Sequence, residues 1–433
     1  MSAISIIVPV HNVEAYLPQC LDSIRSQTFS DFEIVCVVDG GSDRSEDILN
    51  LYKYVEPRLK IIVKENGGLS SARNRGMEVA TGEVFMFVDA DDLLAPDACQ
   101  IVYETFEQTR AEVFTFGAWC YPQYEETPWH KENLTPSDRY YGSFSTDILF
   151  REQSHPFVWR TAIKSELIER THLQFDESIL FGEDQVFHFA LYPKARGVVF
   201  SSRKLYHYRL RREGSLMASR FADPLLRLRE HIKIADRICS NWLSDGLMKE
   251  HGSELALWIC DFLLPYCLRE ERDNRLELTG ALRRLFTRYY SVETFQFLDE
   301  SNPLKQVCLD LVEASNCGDL PDAVREAYLN GKAQCDNGNH ENDLRTGFRA
   351  NARTKLRGIL PMMAEGLEYR LKNLELLMQE KYEEGVSRVI ESDLMSAERS
   401  RWVAFESGSL ARSLALLNCE LLLKKCKKKA SEY

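Results

Sequence analysis

The sequence predicts an α/β fold, a doubly wound and mostly parallel sheet, followed by a mainly α-helical C-terminal region. Three observations carry that expectation. Over the first hundred residues, β-branched runs alternate with helically spaced segments. Those runs are continuous rather than alternating, as strands covered on both faces are. Beyond about residue 220 the text is rich in Leu, Glu and Arg, with few strand signals.

Taken in order, "ISIIVPV" (4–10) reads as the first strand. "VEAYLPQCLDSIRSQ" (13–27) has helical spacing at Leu17, Leu21 and Ile24. "FEIVCVV" (32–38) is a second strand and ends in "DGGSD". "SEDILNLYKYV" (45–55) is a helix starting at Ser45, and "LKIIVKE" (59–65) a third strand. "SSARNRGMEVA" (70–80) is helical, "VFMFVD" (84–89) a fourth strand, and "LLAPDACQIVYETFEQT" (93–109) a further helix. Residues 113–150, with "GAWCYPQYEETPW", are expected to be less regular and to expose aromatics. "FGEDQVFHFALYP" (181–193) is helical again, while "GVVFSS" and "KLYHYRLRREGS" give a strand and then a basic turn. "CDNGNHEND" (335–343) and "RGILPMM" (357–363) read as a loop and a helix break.

The 433 residues, 44% hydrophobic and 28% charged, describe a soluble globular chain of two or three domains. A net charge of −12 argues against a nucleic-acid partner, because no basic excess is available to replace phosphate counterions. The 12 cysteines are scattered without a C-x-x-C pair, so free thiols in a reducing cytosol are expected. "MSAISIIVPVHN" lacks the basic n-region and long h-region of a signal peptide, and no 18 apolar residues run uninterrupted. A cytoplasmic protein is the expectation. The tail "ARSLALLNCELLLKKCKKK" (411–429) sets helically spaced leucines before five lysines. It can sit on the anionic inner face of the cell membrane, or pack on its own domain with a solvated basic end.

Ligands of open α/β sheets bind beyond the carboxyl ends of strands, where "DGGSD" and "DADD" both lie. Asp89 and Asp91 face one side if the fourth strand persists to 91, and two such oxygens suit a hard divalent ion. The plain alternative is an Asp-rich turn, with Asp92 capping the next helix. "NGGLSSARNRG" (66–76) sets Gly67 and Gly68 before a helix start, a possible anion site with Arg73 and Arg75 adding charge. A Gly-Gly turn before a helix capped by Ser70 is equally ordinary. In "VVDGGSD" (37–43), Asp39 can accept from the imide N–H of a uracil; the pattern is also a common turn.

The order "SIIVPVHN", "VVDGGSD", "NGGLSSARNRG", "FVDADD" closely resembles the nucleotide-binding half of family 2 inverting glycosyltransferases of the GT-A fold, bacterial surface-polysaccharide type. The likeness spans roughly residues 3–112, with a fainter continuation to about 218. It implies a nucleotide-sugar-binding half (1–112) and an acceptor-binding half (113–220), while the Leu-, Glu- and Arg-rich text beyond reads as a helical C-terminal domain (221–433). It further implies that Pro9 and Asn12 lie by the nucleotide, that Asp39 reads the base, and that Arg73 lies near the base or diphosphate. Asp89 then faces the ribose and Asp91 ligates Mn²⁺ or Mg²⁺. Many members read D-D-G-S-T-D at the second strand end; here Val38 replaces the first polar residue and Gly41 the Ser.

In "GEDQVF" (182–187) the resemblance makes Asp184 the base that deprotonates an acceptor hydroxyl, with Glu183 its neighbour. Read alone, the pair is a surface pair favoured by a helix N-terminus. "YHYRLRREGS" (206–215) offers Arg209, Arg211, Arg212 and Ser215 as a basic turn able to close over a diphosphate, or a solvated hairpin end. His207 is a candidate metal ligand, although a His between two tyrosines is more often a packed strand residue. The implied activity is metal-dependent inverting transfer of a hexosyl or N-acetylhexosaminyl group from a UDP-sugar to a glycan or lipid-linked acceptor, in surface-glycan synthesis. The rival is a non-catalytic nucleotide-sugar or glycan-binding scaffold with a helical membrane-docking domain. Oligomeric state leaves no mark in the sequence.

Overall fold

The computed structural model describes residues 2–121, 126–210 and 224–313, apart from residues 269, 297 and 299–301. The four expected strands form as β1 (Ile4–Val10), β2 (Phe32–Asp39), β3 (Leu59–Lys64) and β4 (Val84–Phe87). They pair in parallel in the order β3-β2-β1-β4. Between them run α1 (Leu17–Arg25), α2 (Ser45–Lys53) and α3 (Leu69–Val79), and α4 (Ala98–Gln108) follows.

Period-two alternation sorts the strand side chains into two cores. Ile4, Ile6, Val8, Ile34, Cys36 and Met86 join Leu17 and Leu21 of α1 and Val102 of α4 on one face. Ile7, Val35, Val37, Phe85 and Phe87 join Ala72 and Met77 of α3 on the other. Both faces of β1, β2 and β4 are covered, which is why these runs carry apolar residues on both sides rather than at every second position.

The close seat of α3 on β1 depends on a missing side chain. A Cβ at Gly76 would lie 2.3 Å from Cγ2 of the fully buried Ile7. Gly76→Ala is therefore expected to lower stability by about 1–3 kcal/mol, as overpacking does, read from urea or thermal unfolding.

Past β4 the sheet becomes mixed. β5 (Leu93–Leu94), β6 (Val113–Tyr121), β7 (Arg139–Tyr141), β8 (Thr161–Lys164) and β9 (Val198–Arg209) bring it to nine strands. The path continues β4-β8-β6-β9-β5, with β7 beside β9. β8 runs antiparallel to both neighbours, and β6 and β9 are parallel to each other. The expectation of irregular chain from 113 fails at its start. β6 is a nine-residue strand in the sheet interior, with Phe114 and Phe116 buried, because aromatics fit a pleated covered surface well. Trp129 and Tyr140 farther on are exposed, as expected.

Short α5 (Pro128–Asn133), α6 (Asp147–Phe150) and α7 (Ser165–Thr171) precede α8 (Glu183–Leu191). The helical region follows as α9 (Pro224–Ser244), α10 (Met248–Cys267), α11 (Arg272–Tyr289) and α12 (Pro303–Glu313). Its apolar residues share one core with the second sheet face, and Trp242 Nε1 donates to the Phe189 carbonyl of α8 (2.9 Å). Among the described residues no helix is long and apolar enough to cross a membrane. The eight described cysteines are free and buried; burial pushes the Cys99 and Cys239 thiols up to about 12, so they remain protonated packing residues. The loop at 335–343, the break at 357–363 and the basic tail lie outside the described residues.

Candidate active site

The acidic stretch is a turn and not a strand end. β4 stops at Phe87, the Val88 N–H still donates to the Ile7 carbonyl (3.0 Å), and the Asp92 N–H then closes onto the Asp89 carbonyl (2.9 Å). The shared strand face expected for Asp89 and Asp91 is therefore absent, because the apolar run outlasts the pairing by one residue. The adjacent β1 stops pairing on that side too. Pro9 lies two residues after Ile7, so its nitrogen points to the same side and has no hydrogen to donate. Pairing between β1 and β4 therefore ends there, at the place where open α/β sheets have their ligand crevice.

The three carboxylates of the turn have different surroundings. Asp92 is buried and does not cap a helix. Its Oδ2 accepts from the Tyr206 hydroxyl (2.9 Å) and its Oδ1 from the Arg209 N–H (2.6 Å). Burial, with Asp91 and Asp89 nearby, pushes its carboxyl well above the usual range, so Asp92 serves as an anchor. The Tyr206 hydroxyl also accepts from the Asp89 N–H (3.0 Å), tying β9 to the turn twice. Asp91 is partly exposed, and its carbonyl accepts from Arg209 Nε (2.7 Å). Asp89 gives one oxygen to Arg73 Nη2 (2.9 Å); burial raises its pKa despite that guanidinium.

Of this turn, the partly exposed Asp91 and the Asp89 oxygen not held by Arg73 are the carboxylate donors that a hard divalent cation would take. Among the described residues no three His, Cys, Asp or Glu side chains form a metal-holding group, so the ion would take Asp91, with Asp89, and complete its shell from phosphate and water oxygens. His207 is not brought to it. Along β9, Tyr206 and Tyr208 stack on Trp159 (4.3 and 5.1 Å), whereas His207 points to the opposite face and stacks on Trp119 (4.6 Å). Burial lowers its pKa, and no carboxylate contributes to the shift.

Arg73 is 2% exposed, where an open anion contact was expected. Nη2 holds Asp89 and Nη1 donates to Glu183 Oε1 (2.7 Å), a partner 110 positions away. Burial opposes its charge, but Asp89, Glu183 and Asp184 outweigh that and raise its pKa further. One guanidinium thus joins the acidic turn to the start of α8. Ser70 does not cap α3; Gly68 occupies that position at φ +88°, and the Ser70 hydroxyl is buried without a hydrogen-bond partner.

Asp184 is partly exposed. Its oxygens accept from the N–H groups of Phe157 (2.6 Å) and Gln185 (2.8 Å). Burial, then the Glu183 charge, pushes its pKa up to about 7, against the pull of those N–H groups and Arg73. Phe157 donates from a left-handed conformation (φ +70°), which for a bulky residue stores strain of about 1–3 kcal/mol. Sequence reasoning missed Phe157, Trp159 and Tyr206; only the aromatic density of 113–160 and the two tyrosines of "YHY" hinted at them.

The base end is more occupied than expected. Asp39 accepts from Lys64 Nζ (2.6 Å) and the Gly67 N–H (2.9 Å) at one oxygen and the Gly68 N–H (2.7 Å) at the other. It fixes the Gly67–Gly68 loop. Asn12 is exposed at φ +49°, and its Oδ1 accepts from the Ser42 N–H (2.9 Å). Gly41 has a local reason: it sits at φ +125°, and a Cβ there would lie 2.9 Å from Asn12 Oδ1. Arg209 belongs to β9; besides the Asp91 carbonyl it holds Gln19 Oε1 (2.7 Å) and lies over the rings of Tyr16 and Tyr121. Arg211, Arg212 and Ser215 lie outside the described residues.

A family model described as Glycosyl transferase family 2 matches residues 5–166. The uncharacterized glycosyltransferase EpsJ of Bacillus subtilis (strain 168) is 33% identical over 275 residues, 61% of this chain and 77% of EpsJ. The poly(ribitol-phosphate) beta-glucosyltransferase of Bacillus spizizenii is 30% identical over 225 residues, 51% of this chain but 34% of that relative. Residues 1–349 of S. aureus TarS, solved in complex with UDP-GlcNAc, share the fold with a TM-score of 0.60 at 19% identity, covering 81% of this chain and 97% of that one. A GT-A sheet carrying an acidic turn and a carboxylate helix at one crevice defines a nucleotide-sugar-utilising glycosyltransferase. The chain belongs to glycosyl transferase family 2.

Proposed function

We propose that this enzyme moves a hexosyl or N-acetylhexosaminyl group from a UDP-sugar to a hydroxyl of a glycan or lipid-linked acceptor, with inversion, in the synthesis of surface glycans. The single observation that carries the reading is the Arg73 bridge, which sets a cation-competent turn and a raised-pKa carboxylate on one crevice. Residues 1–112 would supply the donor side and 113–220 the acceptor side.

Asp184 takes the acceptor proton as its oxygen attacks the anomeric carbon from the face opposite the phosphate. The proton ends on the Asp184 carboxyl and the electron pair of the broken glycosyl–phosphate bond on the departing diphosphate. A pKa of about 7 suits a base that must be ionised near neutrality and still hold a proton. The Phe157 and Gln185 N–H groups keep the carboxylate oriented, and Glu183, paired with Arg73, sets a charge beside it that raises the Asp184 pKa. Mn²⁺ or Mg²⁺ held by Asp91 and Asp89 would supply charge neutralisation at the diphosphate. UDP as the nucleotide is supported by the TarS complexes with UDP and with UDP-GlcNAc.

The test is release of UDP from a panel of UDP-sugars with Mn²⁺, with and without glycan acceptors, beside thermal shifts with each nucleotide. Binding to the folded state alone raises the melting temperature. UDP release that a chelator abolishes is expected. A panel in which no UDP-sugar shifts the melting temperature or yields UDP sinks the reading.

A further inference from the structure

We propose that the aromatic rings lying between the acidic turn and Asp184 form the acceptor subsite, and that this subsite takes a pyranose ring. The inference rests on the transfer reading above and adds the acceptor's chemistry. Tyr206, Trp159 and Tyr208 stack in sequence at 4.3 and 5.1 Å, with interplanar angles of 13° and 25°. Phe157 packs against Trp159 and Tyr208 (5.0 and 5.5 Å), and Trp129 of α5 meets Phe157 edge-on (5.7 Å).

Exposure rises along this ladder. Tyr206 is 0% and Trp159 3% exposed, Phe157 and Tyr208 are half-buried, and Trp129 reaches 37%. Its inner end touches the acidic turn through the Tyr206 hydroxyl on Asp92 and Asp89, and its middle touches the base through the Phe157 N–H on Asp184. An attacking hydroxyl must lie between the anomeric carbon and the base. The outer rings are the solvent-reached surface beside that path.

The chemistry of the surface selects the ligand. The C–H-bearing face of a pyranose is apolar and faintly positive, matching the negative face of an aromatic ring. A polyol phosphate has no such face to lay on a ring. Arg160, next to Trp159 in the chain, is fully buried and donates to the carbonyls of Asn133 and Gln153, so it serves the fold and not a ligand on the outer rings.

The test titrates the full-length protein, with UDP and Mn²⁺ present, against methyl β-pyranosides of glucose, galactose, N-acetylglucosamine and N-acetylgalactosamine, and against ribitol 5-phosphate. Ligand-detected NMR reads binding in wild type, Trp129→Ala and Trp129→Phe. At least one pyranoside should bind, with affinity about tenfold lower in Trp129→Ala and largely restored in Trp129→Phe. UDP affinity should stay within about twofold in all three proteins, which also reports an intact fold. A pyranoside that binds equally to Trp129→Ala overturns the subsite, as does a protein that binds UDP and ribitol 5-phosphate but no pyranoside. Failure to bind UDP is a separate result and strikes the transfer reading itself.

Discussion

Asp184→Asn should lower kcat by about a hundredfold to ten-thousandfold while leaving UDP-sugar affinity nearly unchanged, because it removes the base and little else. The amide nitrogen of Asn cannot accept from a backbone N–H, so one of the Phe157 and Gln185 contacts is lost, a minor change beside the loss of proton acceptance. The pH dependence gives a second reading. A base works ionised, so kcat/KM of the wild-type enzyme should rise with pH through about 7 and then level, and Asp184→Asn should lack that limb. Stability moves the other way. The folded-state pKa lies above the ordinary aspartate value of 3.8, so the native state holds this proton more tightly than the unfolded chain. Its stabilising contribution is whole below 3.8 and is lost as pH rises through about 7, a loss the neutral Asn escapes. Steady-state rates and urea titrations at pH 5 and 8 check both. A variant with near-normal turnover would remove Asp184 from the mechanism.

Arg73→Met should destabilise the fold by about 3–5 kcal/mol, the usual effect of deleting one member of a buried ion pair. Asp89 and Glu183 would each lose a guanidinium contact of 2.9 or 2.7 Å and be left as carboxylates facing one crevice. Lysine is no substitute, since a single ammonium cannot fork between two carboxylates approached from different directions. Urea unfolding measures the loss. Adding Glu183→Gln should recover part of it, because the second change removes a charge the first has stranded. If Arg73→Met changes stability by less than about 1 kcal/mol, the bridge is not holding the two sides together.

The sequence revealed what is local. Each of β1–β4 is an apolar run near its true bounds, and the glycines and acids at the strand ends gave the crevice its place and its family. The fourth strand was read to Asp89 because hydrophobicity continues through Val88, whereas pairing is decided by where β1 stops offering partners at Pro9. β6 was hidden for a related reason: an aromatic-rich segment beside prolines reads as irregular until β8 and β9 are known to flank it. The site's cross-links left no trace at all. Arg73 with Glu183, Asp92 with Tyr206, and Phe157 with Asp184 are separated by 110, 114 and 27 positions, and no spacing rule reaches so far. The motif assigns Arg73 and Asp39 to ligand contacts, and spacing carries no hint that Glu183, Asp89, Lys64 and the Gly67–Gly68 backbone also hold them.

The antiparallel pairing of Leu93–Leu94 with Tyr206–His207 has one more consequence. Although the donor-side motifs all fall within the first hundred residues, the fragment ending at 112 is not a portable cassette. Grafted onto a foreign acceptor module, it would leave behind the tyrosine and arginine that keep its own aspartates in shape. Residues 1–112 and the end of β9 are one inherited unit.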